Sequence, residues 1–393
     1  MRGPDGLELD GKRVLVRVDF NVPLQGTLVG DDSRIRAALP TIRELLDGGA
    51  TLFLMSHLGR PGGAEDRFRL APVAQRLEEL LGREVRYLAT PGPGSAEQAT
   101  FNAAAPAGSV TLLENTRFDA RETRNDPALA RILAGYADAF VNDAFGAAHR
   151  AHASTVGVAE LLPSAAGRLL EGELGALGRL TNDPERPFAV LIGGAKVSDK
   201  LGVLLRLVGL VDEILIGGAM AYTFIRAQGG AVGDSLIEED LYDSARDLLA
   251  DAHRRGVRVH LPADSVCAAA IQAGAETSVH ASDSIPDGLM GLDIGPAATD
   301  AFSAVLKGAK TVFWNGPMGV FEVPPFDAGT RALAAVVAGL DAFTVVGGGD
   351  SVAALNQTGL ADRVGHVSTG GGASLEFLEG IELPGVAVLT RSD

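Results

Sequence analysis

The chain has 393 residues, of which 46% are hydrophobic and 21% are charged, and its formal net charge is −16. This length exceeds what one hydrophobic core usually serves, so two domains are expected, and the composition is not that of a disordered or fibrous protein. The negative charge argues against nucleic acid as the main partner. No apolar run is long enough to cross a membrane, and the first residues lack the pattern of a signal peptide.

The chain contains a single cysteine, Cys267. One cysteine cannot form an internal disulfide, which fits a reducing compartment and predicts a cytoplasmic location. Its apolar surroundings predict a small, buried side chain.

Charge is unevenly distributed along the chain. Residues 1–168 hold 19 Lys and Arg against 21 Asp and Glu, a net −2, and the remainder carries −14. The first half is therefore nearly neutral and rich in Arg, whose planar guanidinium suits phosphate and carboxylate groups. Several of these arginines, such as Arg76 and Arg131, are expected only to solvate helices.

In the first half, apolar runs alternate with segments of helical spacing. Strands are predicted over 13–20, 51–57, 109–115 and 138–145, and helices over 33–50 and 69–82. This order predicts a parallel sheet with right-handed crossovers.

The second half repeats one unit, an apolar strand followed by a glycine cluster and a helix. The repeats cover 188–207, 213–229, 343–359 and 366–380, and a further strand in 311–322 runs into a loop. Ligands of open parallel sheets bind at the carboxyl ends of the strands, where glycine and helix N-termini accommodate phosphate. A long helix near 165–181 is predicted to connect the two halves.

Several common motifs are missing. The chain has no G-x-x-x-x-G-K-S/T, which excludes a P-loop enzyme, and no G-x-G-x-x-G, which weakens a dinucleotide-binding or protein-kinase interpretation. His149 and His152 lie close together, but no carboxylate or cysteine cluster completes a metal site around them.

Loops at the predicted strand ends of the first half carry an unusual set of polar side chains. The segments are VDFNVP (18–23), DDSRIRAALPTI (31–42), SHLGRP (56–61), LLENTRF (112–118) and AFGAAHRAH (144–152). They contribute Asp19, Asn21, Arg34, His57, Arg60, Arg117 and Arg150. Four arginines and a histidine brought together would bind a small anion with several charges.

These loops, together with GGAKVSDK, FWNGPMGVFE, GGGDS and TGGGAS in the second half, resemble the phosphoglycerate kinase family over essentially the whole chain. Thr116 and Ser351 depart from residues common in the family, and neither is a charged position. The resemblance implies an α/β fold with two doubly wound parallel-sheet (Rossmann-like) domains that face each other across a hinged cleft. It implies a monomer with domains at 1–168 and 169–380, the second including the connector helix, and a tail, 381–393, that packs back on the first.

The implied reaction is reversible phosphoryl transfer between ATP and the carboxylate of 3-phosphoglycerate, giving ADP and 1,3-bisphosphoglycerate, with Mg²⁺ as cofactor. The resemblance assigns 3-phosphoglycerate to the first domain, on Asp19, Asn21, Arg34, His57, Arg60, Arg117 and Arg150. From the residues alone, Asp19 could instead only accept backbone hydrogen bonds, and His57 could orient a neighbour.

The resemblance assigns the nucleotide to the second domain. Lys196 and Lys200 are four residues apart and are therefore predicted to share one helix face, with Lys200 on the nucleotide phosphates and Lys196 on the transferring group. Asp350 is predicted to hold Mg²⁺ and Ser351 to cap the following helix. The other implied nucleotide contacts are Gly217, Gly218, Gly291, Leu292, Asn315, Glu322 and Gly349. Glu322 could also be a solvated loop residue.

The carboxylate of 3-phosphoglycerate is ionised at neutral pH, so it can attack without a general base. Electrostatic stabilisation would come from Arg34, Lys196 and the helix N-terminus at Gly371 and Gly372. Two alternatives remain open at this point, a dinucleotide-dependent dehydrogenase and a non-catalytic protein that binds a phosphorylated metabolite.

Overall fold

The computed structural model describes residues 2–390, and the chain divides into two compact units. The first runs to Gly175 and also includes the segment from Glu382 onwards, and the second spans Ala176–Ile381. The sequence placed the division at residue 168, which is the start of a helix. The boundary between the two compact units lies further along that helix, after Gly175.

The first unit is built on a six-stranded parallel sheet with the order β5-β6-β4-β1-β7-β8. A two-stranded hairpin, β2-β3, lies outside this sheet. The strands are β1 (Arg13–Arg17), β2 (Leu24–Gln25), β3 (Leu28–Val29), β4 (Thr51–Met55), β5 (Val85–Tyr87), β6 (Val110–Leu112), β7 (Ala139–Asn142) and β8 (Ser164–Ala166). Every residue of β4 is buried, as expected for a parallel strand covered by helices on both faces.

Five helices follow these strands: α1 (Ser33–Asp47), α2 (Ala71–Leu81), α3 (Ala96–Ala103), α4 (Pro127–Ala134) and α5 (Arg168–Asn182). The helix predicted near 165–181 therefore begins at Arg168. Residues Ser164–Ala166 form β8 instead, because they pair in parallel with Phe140–Asn142 of β7. The strand predicted over 13–20 ends at Arg17, where its pairing with β4 and β7 ends.

The second unit contains a six-stranded parallel sheet with the order β12-β10-β9-β17-β18-β19. A smaller antiparallel sheet has the order β14-β13-β16, and β11 pairs with β15. The strands are β9 (Phe188–Ile192), β10 (Glu213–Ile216), β11 (Ala231–Val232), β12 (Arg258–His260), β13 (Asp264–Ala268), β14 (Ser278–Ala281), β15 (Ser284–Ile285), β16 (Met290–Ile294), β17 (Thr311–Asn315), β18 (Phe343–Gly347) and β19 (His366–Val367). Cys267 is fully buried in β13, as predicted.

The helices of the second unit are α6 (Leu201–Leu207), α7 (Met220–Ala227), α8 (Tyr242–Arg255), α9 (Pro296–Gly308), α10 (Ala328–Val337), α11 (Gly349–Thr358) and α12 (Gly372–Glu379). The two parallel sheets confirm the predicted α/β fold class. The strand–glycine–helix repeats correspond to β9–α6, β10–α7, β18–α11 and β19–α12.

The end of the described chain forms helix α13 (Pro384–Thr390), which belongs to the first unit. The backbone N–H of Gly385 donates to the carbonyl of Ala148 at 2.9 Å, and the side chain of Asn142 donates to the carbonyl of Gly385 at 3.0 Å. The last three residues of the predicted tail, 391–393, lie outside the described residues. Among residues 2–390, no helix is both long and apolar enough to cross a membrane.

Candidate functional site: a cationic anion site and a glycine-rich site

In the first unit, four neighbouring strands end at the same edge of the sheet. The register pairs Arg17 at the end of β1 with Met55 of β4 and with Asn142 of β7, and β6 lies on the other side of β4. The loops that follow these strands carry all but one of the predicted anion-binding residues. The remaining residue, Arg34, lies in the first turn of α1.

Arg34 is held beside Asp19. Its Nη1 donates to Oδ2 of Asp19 at 2.9 Å and to the carbonyl of Asn21 at 3.4 Å, and 32% of its side chain is exposed. Burial alone would raise the pKa of Asp19, but the neighbouring His57, Arg34 and Arg17 outweigh burial, so the pKa lies below its ordinary value. Asp19 is therefore ionised at neutral pH and can orient the guanidinium of Arg34.

Three further arginines line a pocket of about 330 Å³, namely Arg60, Arg117 and Arg150. Burial, and then the charges of Arg150 and Arg17, lower the pKa of Arg117 to about 10. Arg117 Nε is buried and has no hydrogen-bond partner among residues 2–390. A half-buried cation that leaves one donor, Nε, without a partner and stands beside other cations is an arrangement that an anion would stabilise.

His57 is buried behind these arginines. Its Nδ1 lies 3.2 Å from Nη2 of Arg17 and 3.9 Å from Oδ1 of Asp19. Burial lowers the pKa of His57 well below its usual range, and the nearby arginines add to this effect. The imidazole is thus neutral at physiological pH, and it offers the site hydrogen bonds and not positive charge.

Arg17 is a site-forming residue that the sequence analysis missed. Its side chain is almost fully buried, and its Nε donates to Oγ of Ser154 at 2.8 Å. Ser154 in turn donates from Oγ to the buried carboxylate of Glu122 at 2.5 Å. A charged residue within the apolar run RVLVRVDF is the signal that could have identified it, because buried arginines are rare unless they are paired.

The second unit brings its glycine-rich loops together in the same way, since β10, β9, β17 and β18 are neighbours in the sheet. Lys200 Nζ donates to Oδ1 of Asn315, and Nδ2 of Asn315 donates to the carbonyl of Gly347 at 2.8 Å. Burial lowers the pKa of Lys200, whereas Asp199 and Asp350 act to raise it. Asn315 is fully buried, so it orients Lys200 and links the ends of β17 and β18.

The prediction that Lys196 and Lys200 share a helix face is wrong. Helix α6 begins at Leu201, so both lysines lie in the loop between β9 and α6. Glu238 holds this loop by accepting from the backbone N–H of Ser198 at 3.1 Å and from its hydroxyl at 2.5 Å. Lys196 is exposed at the surface of this loop.

Two of the glycines predicted to contact the nucleotide, Gly218 and Gly291, lie where a side chain would clash with neighbouring atoms. Gly218 has a φ of +66°, and a Cβ there would lie 2.6 Å from the backbone of Gly194. A Cβ on Gly291 would lie 1.9 Å from the hydroxyl of Tyr222. Gly217 precedes Gly218 directly after β10. Leu292 is buried in β16 beside Gly291, and Glu322 is exposed on the loop after β17.

The N-termini of two helices, α11 and α12, complete the glycine-rich site of the second unit. Helix α11 begins at Gly349, and Asp350 in its first turn is exposed. Ser351 does not cap this helix, contrary to the prediction, because its buried Oγ accepts from the backbone N–H of Gly316 at 2.5 Å. Helix α12 begins at Gly372, preceded by Gly371 with a φ of +54°. Free N–H groups in these first turns favour anions.

One parallel α/β unit carries an arginine-rich site suited to an anion, and the other carries lysines and glycine-rich helix N-termini. Together these features define the class of protein as a nucleotide-dependent phosphotransferase. The family profile described as phosphoglycerate kinase matches residues 5–381. A phosphoglycerate kinase of Thermus thermophilus is 60% identical over 386 residues, covering 98% of each chain. One from Deinococcus radiodurans is 54% identical over 392 residues, covering 99% of this chain and 94% of that one. The solved phosphoglycerate kinase of Coxiella burnetii superimposes with a TM-score of 0.88 at 39% identity, over 99% of this chain and 98% of that one.

The chain belongs to the phosphoglycerate kinase family. Its reaction is phosphoryl transfer between ATP and 3-phosphoglycerate, a step of glycolysis. Family membership confirms the predicted fold, enzyme class and reaction, and it excludes the alternatives of a dehydrogenase and a non-catalytic binding protein.

Proposed function

We propose that the cationic set of the first unit binds 3-phosphoglycerate and 1,3-bisphosphoglycerate. The observation that carries this proposal is the half-buried Arg117, which lacks a partner for Nε and lies near other cations. Its pKa is depressed in the free protein, and a bound phosphate or carboxylate would restore it. Arg60 and Arg150 share the pocket with Arg117 and supply further charge. Asp19, Asn21 and His57 orient the arginines and the ligand.

The glycine-rich set of the second unit would bind ATP or ADP. Lys200 and the N-terminus of α11, from Gly349 to Ser351, would contact the phosphates. Gly217, Gly218, Gly291 and Leu292 would border the base, with Glu322 on the ribose and Asn315 behind Lys200. An exposed Asp350 in the first turn of α11 suits Mg²⁺, which binds nucleotide phosphates through one or two carboxylates. Bound there, the ion would neutralise charge on the phosphates.

Transfer would proceed in line, with the substrate carboxylate as nucleophile. An ionised carboxylate needs no general base, so electrostatic stabilisation and positioning supply the catalysis. Arg34 and Lys196 would neutralise charge on the transferring group, and the N-terminus of α12 at Gly371 and Gly372 would add N–H groups. We further propose that the enzyme is a cytoplasmic monomer with two functional domains, the first binding 3-phosphoglycerate and the second binding the nucleotide.

Arg60→Ala is expected to raise KM for 3-phosphoglycerate about tenfold or more with a smaller effect on kcat. Arg60 is exposed at the rim of the pocket, so it should stabilise the bound substrate and the transition state about equally. Steady-state kinetics with varied 3-phosphoglycerate would test this expectation. Arg67→Ala is a matched control because Arg67 is exposed nearby and pairs with Glu65. A fall in kcat with an unchanged KM would show that Arg60 acts in the chemical step.

Asp350→Asn is expected to weaken MgADP binding about tenfold or more and to leave 3-phosphoglycerate binding unchanged. The substitution removes the charge that a magnesium ion requires and preserves the shape of the side chain. Calorimetry with each ligand separately is the measurement, and Asp362→Asn, an exposed aspartate of the same unit, is the control. Equal losses for the two ligands would contradict the assignment of the nucleotide to the second unit.

A further inference from the structure

Asn115 is fully buried between the end of β6 and the short helical turn Thr116–Phe118. Its Oδ1 accepts from the backbone N–H of Leu58 at 3.2 Å and of Arg117 at 3.0 Å. Its Nδ2 donates to the carbonyl of Leu58 at 2.8 Å and of Phe68 at 2.9 Å. Both donors and both acceptor positions of one side-chain amide are thus used.

These bonds join the segments that carry the anion-binding residues. Both backbone polar groups of Leu58 are bound by the single side chain of Asn115, and Leu58 follows His57 directly. The next residue, Gly59, donates its N–H to Oδ1 of Asn21 at 2.9 Å and accepts from Nη1 of Arg117 through its carbonyl. Asn115 therefore fixes the backbone from which His57 and Arg60 extend, and it also fixes the first turn that carries Arg117.

We propose that Asn115 is a positioning residue for the 3-phosphoglycerate site, acting through the backbone of Leu58, Phe68 and Arg117 and not through contact with substrate. This inference rests on the proposed function of the arginine set. An anion site made of loops is precise only when the loops are held by buried partners with satisfied hydrogen bonds. Asn115 connects the loop after β6 to the loop after β4, where its partners Leu58 and Phe68 are 57 and 47 residues away in sequence.

Asn115→Asp is the sharpest test, because it keeps the size of the side chain and both acceptors but removes both donors. The carbonyls of Leu58 and Phe68 would then face a carboxylate. The affinity for 3-phosphoglycerate should fall roughly 10- to 100-fold, with the affinity for MgADP changed less than about twofold. Calorimetry of the full chain with each ligand gives both values.

The pH dependence separates positioning from a general loss of stability. Full burial and the adjacent buried carboxylate of Glu114 would raise the pKa of the introduced carboxyl, and the charge of Arg117 would oppose them in part. The introduced group should therefore take up a proton as the pH falls and donate a hydrogen bond again. The loss of 3-phosphoglycerate affinity relative to wild type should therefore shrink between about pH 8 and about pH 6. A loss that is constant across this range would overturn the proposal.

Asn102→Asp is the matched control, since Asn102 is also fully buried in the first unit and its Nδ2 has no hydrogen-bond partner among the described residues. We expect it to lower the melting temperature without selective loss of 3-phosphoglycerate binding. Equal losses for both ligands in Asn115→Asp, or the same pattern in the two variants, would overturn the proposal.

If Asn115→Asp does not fold, Asn115→Ser gives the same information. Serine can still accept from the N–H of Arg117, as at a helix N-cap, but it is too short to hold Leu58 and Phe68. Selective loss of 3-phosphoglycerate affinity supports the proposal, and wild-type affinity in a folded Asn115→Ser variant overturns it.

Arg117→Ala, measured in parallel, distinguishes the positioning role of Asn115 from the proposed location of the 3-phosphoglycerate site. Unchanged 3-phosphoglycerate binding in Arg117→Ala would refute the location of the site itself.

Discussion

Arg34→Ala is expected to lower kcat about 10³-fold and to leave the melting temperature nearly unchanged. The guanidinium of Arg34 is oriented by the ionised Asp19, while about a third of its side chain remains open to solvent. It is therefore ordered before substrate arrives, and this is the property that makes a cation effective when charge develops on a transferring phosphoryl group. Its structural role is small, because Asp19 keeps Arg17 and His57 as neighbours.

Arg36→Ala provides the control for Arg34→Ala. Arg36 lies two residues further along α1, and its exposed side chain pairs with Asp32. Its replacement should change kcat by less than about twofold. Similar kinetic losses in the two variants, or a loss confined to KM in Arg34→Ala, would show that Arg34 only helps to bind the ground state.

Lys200→Met is expected to lower kcat/KM for ATP about 10²- to 10³-fold. The substitution removes a half-buried cation from the ends of β17 and β18 and preserves much of its volume. Lys307→Met, at an exposed position of α9, should leave the kinetics unchanged. A Lys200→Met enzyme that keeps wild-type kcat/KM would remove Lys200 from the nucleotide site.

The depressed pKa of Lys200 adds a pH dependence with a definite sign. A lysine whose pKa is lowered in the free protein loses its proton at a lower pH than usual, and the proton is needed to bind phosphate. Affinity for nucleotide should therefore fall as the pH rises towards that pKa. Fluorescence or calorimetric titration at increasing pH would measure the fall, which should be absent from Lys200→Met.

Much of the fold could be predicted because its signals are local. Short apolar runs such as those in 51–57 and 188–192 are typical of buried strands, and glycines after them mark the turns that follow. Since parallel strands end at a common edge, strand-end loops also indicated which arginines would come together. Arg60, Arg117 and Arg150 lie in three such loops, and they line one pocket.

The remaining features depend on contacts between residues that are distant in sequence. Arg17 is explained by Ser154, which is 137 residues away, and Lys200 by Asn315, which is 115 residues away. Helix α6 has only seven residues, so spacing alone could not show that it begins after Lys200. Ser351 has the residue type of a cap, but the nearby N–H of Gly316 engages its hydroxyl instead.

The central claim is that separate residue sets on the two units bind the two ligands. The most direct measurement is a residue-resolved NMR titration of the full chain with 3-phosphoglycerate alone and with MgADP alone. We expect 3-phosphoglycerate to change first the amide chemical shifts of residues 57–60, Arg117 and Arg150. We expect MgADP to change first those of residues 194–200 and 349–351. If 3-phosphoglycerate instead changes first the amide chemical shifts of residues 194–200 or 349–351, the assignment of the two sites is wrong.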